Sequence, residues 1–246
     1  MIMMVVSKNK LKKIIISVVV VILAIMGIVF MVKQSKSDAT FNIFDLADTP
    51  YYQGTKVESG YVALTCNVDL GWESEYVEGI LKVLEKEDVK ITFNVTGRWA
   101  EKNPELLLKI KEQGHEIGNH GHRHLDYAKL SYEENLDQIQ TSKKIIEDII
   151  KEKTKFFQAP SGSFGEGTMK AAKELGYTCI KWDVDTIDWK YREEPEVIVD
   201  RIKKKDIQDN SIVLMHPTNA TTKCVGDIIQ IIRDKGLKPG KLSDIF

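Results

Sequence analysis

Apolar and polar positions alternate along residues 61–246 in two distinct ways. Short apolar runs without a helical period predict buried strands, and these runs cover 61–66, 89–95, 156–159, 177–182 and 211–215, with a brief strand at Ile117. Apolar residues spaced three and four apart predict amphipathic helices, over 75–87, 99–113, 131–151, 166–175, 195–205 and 223–235. Repeated strand–helix units of this kind predict an α/β fold whose parallel sheet is closed or nearly closed into a barrel.

A long apolar run near the N-terminus predicts a membrane anchor. Residues 14–32 carry no charge, and at 1.5 Å per residue such a helix would span about 29 Å, the thickness of a hydrocarbon core. The basic residues before it place the tail 1–13 in the cytoplasm and the rest of the chain outside. No good small-x-small cleavage site follows, so we expect a retained transmembrane signal-anchor rather than a cleaved signal peptide.

The same pattern separates a tether from a folded domain. Residues 33–60 are polar and mixed, and we interpret them as a tether and lead-in segment. Residues 61–246 contain all the predicted strand–helix units. We therefore expect a single-pass protein of the cell membrane whose folded domain lies outside the cytoplasm.

Charge and cysteine content narrow the possible partners. The formal net charge is −1, so no global basic field favours nucleic acid as a partner. The three cysteines, Cys66, Cys179 and Cys224, are far apart and odd in number, which excludes a disulfide framework and predicts buried free thiols, with a single disulfide still open. The composition gives no indication of the oligomeric state.

Polar clusters follow five of the predicted strands. They lie at 67–69, 120–124, 160–162, 183–189 and 216–217. One Asp at a strand end is usually a turn or capping residue, but the carboxyl ends of barrel strands share one rim. Polar clusters at the ends of five of these strands therefore predict one site.

Histidines are concentrated in one of these clusters. Four of the five histidines of the chain lie within residues 114–124. His120 and His124 are four residues apart, so a helical turn or a tight loop can bring both imidazoles to one point. Neutral imidazole is a common ligand of zinc and similar ions. The spacing predicts a metal or acid–base site.

Taken together, the five clusters resemble the polysaccharide deacetylase family, also called the NodB homology domain, over about residues 60–246. The likeness is greatest to sporulation-type members with a short N-terminal anchor. The resemblance implies a deformed (β/α) barrel that holds one divalent metal, usually zinc. It also implies removal of N- or O-acetyl groups from glycans such as peptidoglycan or chitin.

The resemblance also implies roles for individual residues. His120 and His124 match the two metal histidines of the second motif, and residues 185–189 match Asp-x-x-Asp-Trp in full. Leu214 and His216 match the Leu-x-His motif. By resemblance His216 is the general acid and Asp188 orients it. The substrate pocket would be lined by Trp189, Leu214, Asn67 and Pro160.

The first and third family motifs are altered in this chain. Where the family has Thr-Phe-Asp-Asp, with a base and a metal ligand, this chain has Thr-Cys-Asn-Val at 65–68. Where the family has Arg-x-Pro, with an Arg that steadies the base, this chain has Gln-Ala-Pro at 158–160. Asp69 is the nearest carboxylate, and in an extended strand it shares a face with Asn67. Asp69 is thus a candidate for third metal ligand or for base.

Two main hypotheses follow. The first is a metal-dependent hydrolase, a peptidoglycan-type N-deacetylase with a rearranged first motif, although loss of a general base costs roughly 10²–10⁴ in rate. The second is a catalytically inactive homologue that binds cell-wall glycan. A third, a glycosidase using two of Asp183, Asp185 and Asp188 as its carboxylate pair, would leave the histidine pair without a role.

Overall fold

The computed structural model describes residues 49–246, in which eight strands form one sheet. These residues fall within one compact unit, Asp48–Phe246. The predicted tail 1–13, the anchor 14–32 and the first part of the 33–60 tether lie outside the described residues. Among the helices of residues 49–246, none is long and apolar enough to cross a membrane.

All the strand pairs of the sheet are parallel. The strands are β1 (Tyr61–Val68), β2 (Thr92–Val95), β3 (Glu116–Asn119), β4 (Phe156–Phe157), β5 (Thr178–Cys179), β6 (Val184–Asp185), β7 (Ile212–Met215) and β8 (Lys238–Gly240). Their order across the sheet is β5-β4-β3-β2-β1-β7-β6, and β8 pairs with β1. The sheet curls into a half-barrel with β5 and β6 at its edges, so the predicted parallel α/β sheet is confirmed but its closure into a barrel is not.

Helices connect the strands and pack against the sheet. They are α1 (Ser74–Glu87), α2 (Gly97–Lys102), α3 (Pro104–Glu112), α4 (Tyr132–Ile150), α5 (Glu166–Glu174), α6 (Pro195–Lys203), α7 (Asn219–Asp234) and α8 (Leu242–Ile245). The six predicted helices are confirmed, with two changes. The predicted helix 99–113 is interrupted at Asn103, because Pro104 cannot continue the hydrogen-bond pattern and starts a new helix. The last long helix begins earlier, where the Thr218 side chain accepts from the Thr221 N–H.

Strand β1 divides its side chains between two environments. Val62, Leu64, Cys66 and Val68 belong to the core between the sheet and the helices. By the alternation of a strand, Asn67 points the other way, into the interior of the curled sheet. Burying a side chain such as Leu or Val stabilises the fold by about 1.5–3 kcal/mol, so the register of β1 is firmly set. That register places Asn67 in the candidate site and keeps Val68 out of it.

The end of the lead-in segment forms part of the folded unit. The Tyr51 N–H donates to the Cys179 carbonyl, and the Tyr51 carbonyl accepts from Lys181. Two residues on, the Gln53 amide donates to Asp183 at 2.7 Å. These bonds connect the β5 edge of the sheet to the start of β7, because Gln53 also bridges to Ser211.

The cysteine prediction is confirmed for all three residues. Cys66, Cys179 and Cys224 are free and buried. Burial raises the pKa of Cys179 and of Cys224 to about 12, and it raises the pKa of Cys66 as well. The thiols are therefore packing groups rather than nucleophiles.

We expect Gly121→Ala to destabilise the fold far more than Gly176→Ala. Both glycines have a positive φ, 76° and 80°, which costs a residue with a Cβ about 1–2 kcal/mol. A Cβ at Gly121 would also lie 1.9 Å from the Tyr127 hydroxyl oxygen, whereas one at Gly176 meets nothing within 4 Å. The clash adds roughly 1–3 kcal/mol. Denaturant unfolding of the two variants measures the difference, and equal losses would contradict this account of the histidine loop.

Candidate functional site

A cavity of about 480 Å³ opens at the carboxyl ends of the strands. His120, His124 and His216 all line it, as the sequence predicted. It is lined by Asn67, Trp72, His120, His124, Ser161, Trp182, Asp185, Trp189, Arg192, Leu214 and His216. The other predicted site residues, Asp69, Asp188 and Pro160, do not line the cavity. Asp69 and Asp188 contact its histidines, and Pro160 is buried next to Ser161.

The Asp188 carboxylate holds His216 in place. One carboxylate oxygen accepts from His216 Nδ1 at 2.8 Å, and the other accepts from the His216 backbone N–H at 2.6 Å and from the Thr221 hydroxyl at 2.7 Å. Asp188 is completely buried, so three donors compensate its desolvation. The Nδ1 proton is thereby fixed, which leaves Nε2 of His216 for the cavity.

A strained turn positions this carboxylate. Ile187 has a φ of 58°, which is a rare conformation for a β-branched residue and costs of order 1–3 kcal/mol. The turn is held because the Ile187 N–H donates to Asp185 at 2.7 Å and the Thr186 hydroxyl donates to the Leu214 carbonyl at 2.8 Å. As a result Asp188 points into the protein while Trp189 is 48% exposed.

The paired histidines differ in their surroundings. His120 is buried, and its Nδ1–H donates to the Gln158 carbonyl at 2.6 Å, so Nε2 carries the lone pair. Burial, and next the nearby His124, lower the pKa of His120 to about 3. The side chain of His124 is 46% exposed. The two ring centroids lie 5.8 Å apart, and both rings line the cavity.

A network of three buried amides occupies the position that the family motif gives to the base and its clamp. Asn94 Nδ2 donates to Asn67 Oδ1 at 3.0 Å and to Gln158 Oε1 at 2.8 Å. Asn67 and Asn94 are register partners on β1 and β2, and Gly118 is the next partner on β3. A Cβ at Gly118 would lie 2.1 Å from Asn94 Oδ1. The glycine thus lets Asn94 reach across β3 to Gln158.

Asn67 therefore presents a donor to the cavity. Its Oδ1 is occupied by Asn94, and its Nδ2 has no hydrogen-bond partner within residues 49–246. An amide cannot accept a proton from water at neutral pH. A group that would be a base is replaced here by an N–H₂ suited to an oxygen atom of a ligand.

The residues present do not complete a metal site. Within the described part of the chain, no three His, Cys, Asp or Glu side chains are grouped closely enough to hold a metal ion. One Asp69 oxygen lies 3.6 Å from His124 Nε2, and the other accepts from the Gly71 N–H in a local turn. Val68, at the position of the family's metal carboxylate, lies in the apolar core. Asp69 lies beside His124 but does not form a group of three ligands with His120 and His124, so the described residues do not match the open site of three protein ligands.

Tryptophans form much of the wall of the cavity. Trp72, Trp182 and Trp189 line it, whereas Trp99, the fourth tryptophan of the chain, is fully buried in the core. The Trp72 ring lies 5.1 Å from the His216 ring between centroids. Flat apolar rings of this kind suit the C–H faces of sugars. The arrangement can hold a sugar ring beside the histidines.

Sequence reasoning missed Asn94 and Arg192. Asn94 is a polar residue in a short buried strand, and its alternation with Phe93 and Val95 was a signal that it faces the interior. Arg192 follows the Asp-x-x-Asp-Trp motif without a motif of its own, so no signal marked it.

Known proteins similar in sequence to this chain include polysaccharide deacetylases. The family model for polysaccharide deacetylase matches residues 54–180. The uncharacterized protein YlxY of Bacillus subtilis is 36% identical over 212 residues, which cover 86% of this chain and 65% of that protein. The chain thus spans slightly less than two thirds of this relative. A peptidoglycan-N-acetylglucosamine deacetylase of Bacillus cereus is 32% identical over 193 residues, which cover 75% of this chain and 68% of that enzyme.

The structural likeness extends to a protein described as a pseudoenzyme. The crystal structure of a CE4 family pseudoenzyme from Bacillus anthracis is 39% identical, with a TM-score of 0.76, and covers 82% of this chain and 70% of its own. A mutant of that pseudoenzyme, 38% identical with a TM-score of 0.76, covers 82% of this chain and 72% of its own and is described as having restored enzymatic activity.

We expect Asp188→Asn to lower the free energy of unfolding by about 2–4 kcal/mol. The amide would place an N–H₂ group opposite N–H or O–H groups of His216 and Thr221 that now donate to the carboxylate. Buried donors would then be left unpaired. Thr221→Val is the matched control, because it removes one hydrogen bond to the same carboxylate and should cost about 1 kcal/mol. Denaturant unfolding measures both. A loss for Asp188→Asn no greater than for the control would show that this carboxylate is not the anchor of the site.

Proposed function

Because the chain belongs to the polysaccharide deacetylase family, we propose that its cavity binds N-acetylated cell-wall glycan without removing the acetyl group. The proposal corresponds to the inactive-homologue hypothesis of the sequence. It keeps the glycan as partner and assigns the histidines and tryptophans to binding.

The amide at position 67 carries this proposal. Hydrolysis of an acetamide needs a group that takes a proton from the attacking water, and Asn67 cannot do so. Asn94 fixes its orientation at 3.0 Å, so Asn67 Nδ2 faces the cavity as a donor. Such a donor can bind the carbonyl oxygen of an intact acetamido group.

The incomplete ligand set supports the same conclusion. His120 and His124 remain at the cavity, but Val68 lies in the core and Asp69 is engaged with Gly71. The parts of the site that bind and orient are kept, since His216 retains its contact with Asp188 at 2.8 Å. The parts that would generate a nucleophile are replaced.

The likeness to the Bacillus anthracis pseudoenzyme supports the proposal as well. It is 39% identical over 82% of this chain, with a TM-score of 0.76. Its mutant is described as having restored activity. A member of this family can therefore keep the fold while lacking the reaction.

A hydrolase with a rearranged first motif is the second candidate. The observation in its favour is the Asp69 carboxylate, 3.6 Å from His124 Nε2. If Asp69 left its local turn, it could join His120 and His124 as ligands of one divalent metal, zinc by the resemblance. The proposed peptidoglycan-type N-deacetylase would then rely on His216 and Asp188 for its acid.

We also propose that the folded unit acts outside the cytoplasm, attached to the cell membrane. The support is the uncharged apolar run 14–32 and the basic tail 1–13. A glycan-binding domain joined to the membrane by the predicted tether, residues 33–60, would face the cell wall directly.

We expect the wild-type protein to bind N,N′,N″-triacetylchitotriose in calorimetry, and Trp189→Ala to weaken binding by roughly tenfold, because an aromatic contact of about 1.4 kcal/mol is lost. Leu108→Ala is the control, since Leu108 is also an exposed apolar residue, but it lies on α3 away from the cavity. Absence of binding by the wild type, or equal loss in both variants, would contradict the proposal.

We expect Asn67→Asp to leave acetate release at the level of buffer, even with zinc added. The new carboxylate supplies a base but no third ligand, because Val68 stays in the core. A hydrolase that lacked only its base would instead gain roughly 10²–10⁴ in rate. An enzymatic acetate assay on the wild type, Asn67→Asp and the control Asn103→Asp decides between these outcomes.

A further inference from the structure

Arg192 is the only arginine or lysine among the cavity-lining residues in the described part of the chain. Its guanidinium carbon lies 4.5 Å from the centroid of the Trp72 ring. Trp72 in turn lies beside His216. A cation therefore lies at the wall of the cavity where a sugar ring would stack.

The hydrogen-bonding edge of this guanidinium is largely unused. Nε donates to the Trp189 carbonyl at 3.2 Å. Within residues 49–246, Nη1 and Nη2 have no hydrogen-bond or ion-pair partner, although two glutamates follow in sequence. The nearer of these, Glu193, accepts from the Asn219 amide instead. Arg192 is exposed, so its Nη groups are open to a ligand.

The side chain is also held in position before any ligand binds. The Arg192 carbonyl accepts from the Ala220 N–H at 2.7 Å, which ties its backbone to the first turn of α7. Contact with Trp72 and the bond to Trp189 fix the plane of the guanidinium. A group ordered in advance loses less freedom on binding, and a planar guanidinium suits a carboxylate through two parallel hydrogen bonds.

An arginine over a tryptophan often does no more than cover apolar surface. Two features distinguish this one: it lines the cavity together with three tryptophans, and no carboxylate of residues 49–246 pairs with its Nη groups. On these grounds, and resting on the proposed function of the cavity, we propose that Arg192 binds a carboxylate of the glycan, so that the preferred ligand is an acidic N-acetylated glycan rather than a neutral one.

The carboxylate could come from a lactyl ether on the sugar or from a peptide attached to it. Three probes separate these sources in calorimetry. They are N,N′-diacetylchitobiose, the N-acetylglucosaminyl-N-acetylmuramic acid disaccharide with a free lactyl carboxylate, and the same disaccharide amidated at the lactyl group by a dipeptide with a free carboxyl end. We expect at least one acidic probe to bind about 10- to 100-fold more tightly than the neutral one, as charge-assisted hydrogen bonds do. The tighter acidic probe identifies the source.

Substitutions assign the preference to Arg192. We expect Arg192→Gln to bring the ratio of acidic to neutral affinity close to one, and Arg192→Lys to keep an intermediate ratio, since it retains the charge without the planar pair of donors. Arg98→Gln, an exposed arginine outside the cavity, is the control and should keep the wild-type ratio.

Two results would overturn the inference in different ways. If the neutral probe binds and neither acidic probe binds more tightly, or if Arg192→Gln keeps the wild-type ratio, Arg192 has no such role and the proposed glycan binding stands. If no probe binds the wild-type protein, the proposed function itself fails, and this inference fails with it.

Discussion

The side-chain amide of Asn94 is the constraint on which the character of the site depends. It donates to Asn67 on one side and to Gln158 on the other, and so joins β1 to the segment after β4 across two intervening strands. The reach is possible only because β3 has Gly118 in the same row. Among residues 49–246, no group forms a hydrogen bond with the buried Asn94 Oδ1 or Gln158 Nε2, at a cost of about 1–3 kcal/mol each. A fold that tolerates this cost holds Asn67 in one orientation, with its donor toward the cavity.

The two sides of the cavity differ in how many of the family's motif residues they keep. On the side of β7, a buried carboxylate still fixes His216 through three donors from separate groups. On the side of β1, the base and its arginine are replaced by amides, and the position of the second carboxylate belongs to the apolar core. Gln158 connects the halves, since its side chain holds Asn94 and its carbonyl orients His120. The result is a preorganised cavity with donors, aromatic walls and no proton acceptor at the position of the base.

The predictable part of the structure is the part set by local pattern. Apolar spacing predicted the order of strands and helices. Because His120, His124, Asp188 and His216 follow predicted strands, and parallel strands end on the same side of a sheet, the sequence also predicted that they share one rim. Contacts that depend on the register between strands could not be predicted from the sequence. The position of Asp69 is decided by the turn to Gly71, and the Asn94 network depends on which residue of β3 is its partner. The docking of Tyr51 on β5 likewise follows from tertiary contacts that no local pattern records, whereas the break at Asn103 follows from Pro104, which is visible in the sequence.

The proposed role of the cavity is to bind an acetylated glycan and to leave its acetyl group intact. Proton NMR of triacetylchitotriose mixed with the purified wild-type protein and zinc tests binding and hydrolysis in the same sample. We expect the N-acetyl methyl signals to broaden or shift on adding protein, while the free acetate signal stays equal to that of a protein-free tube over a day. Steady growth of the acetate signal in proportion to protein concentration would show instead that the cavity hydrolyses the glycan.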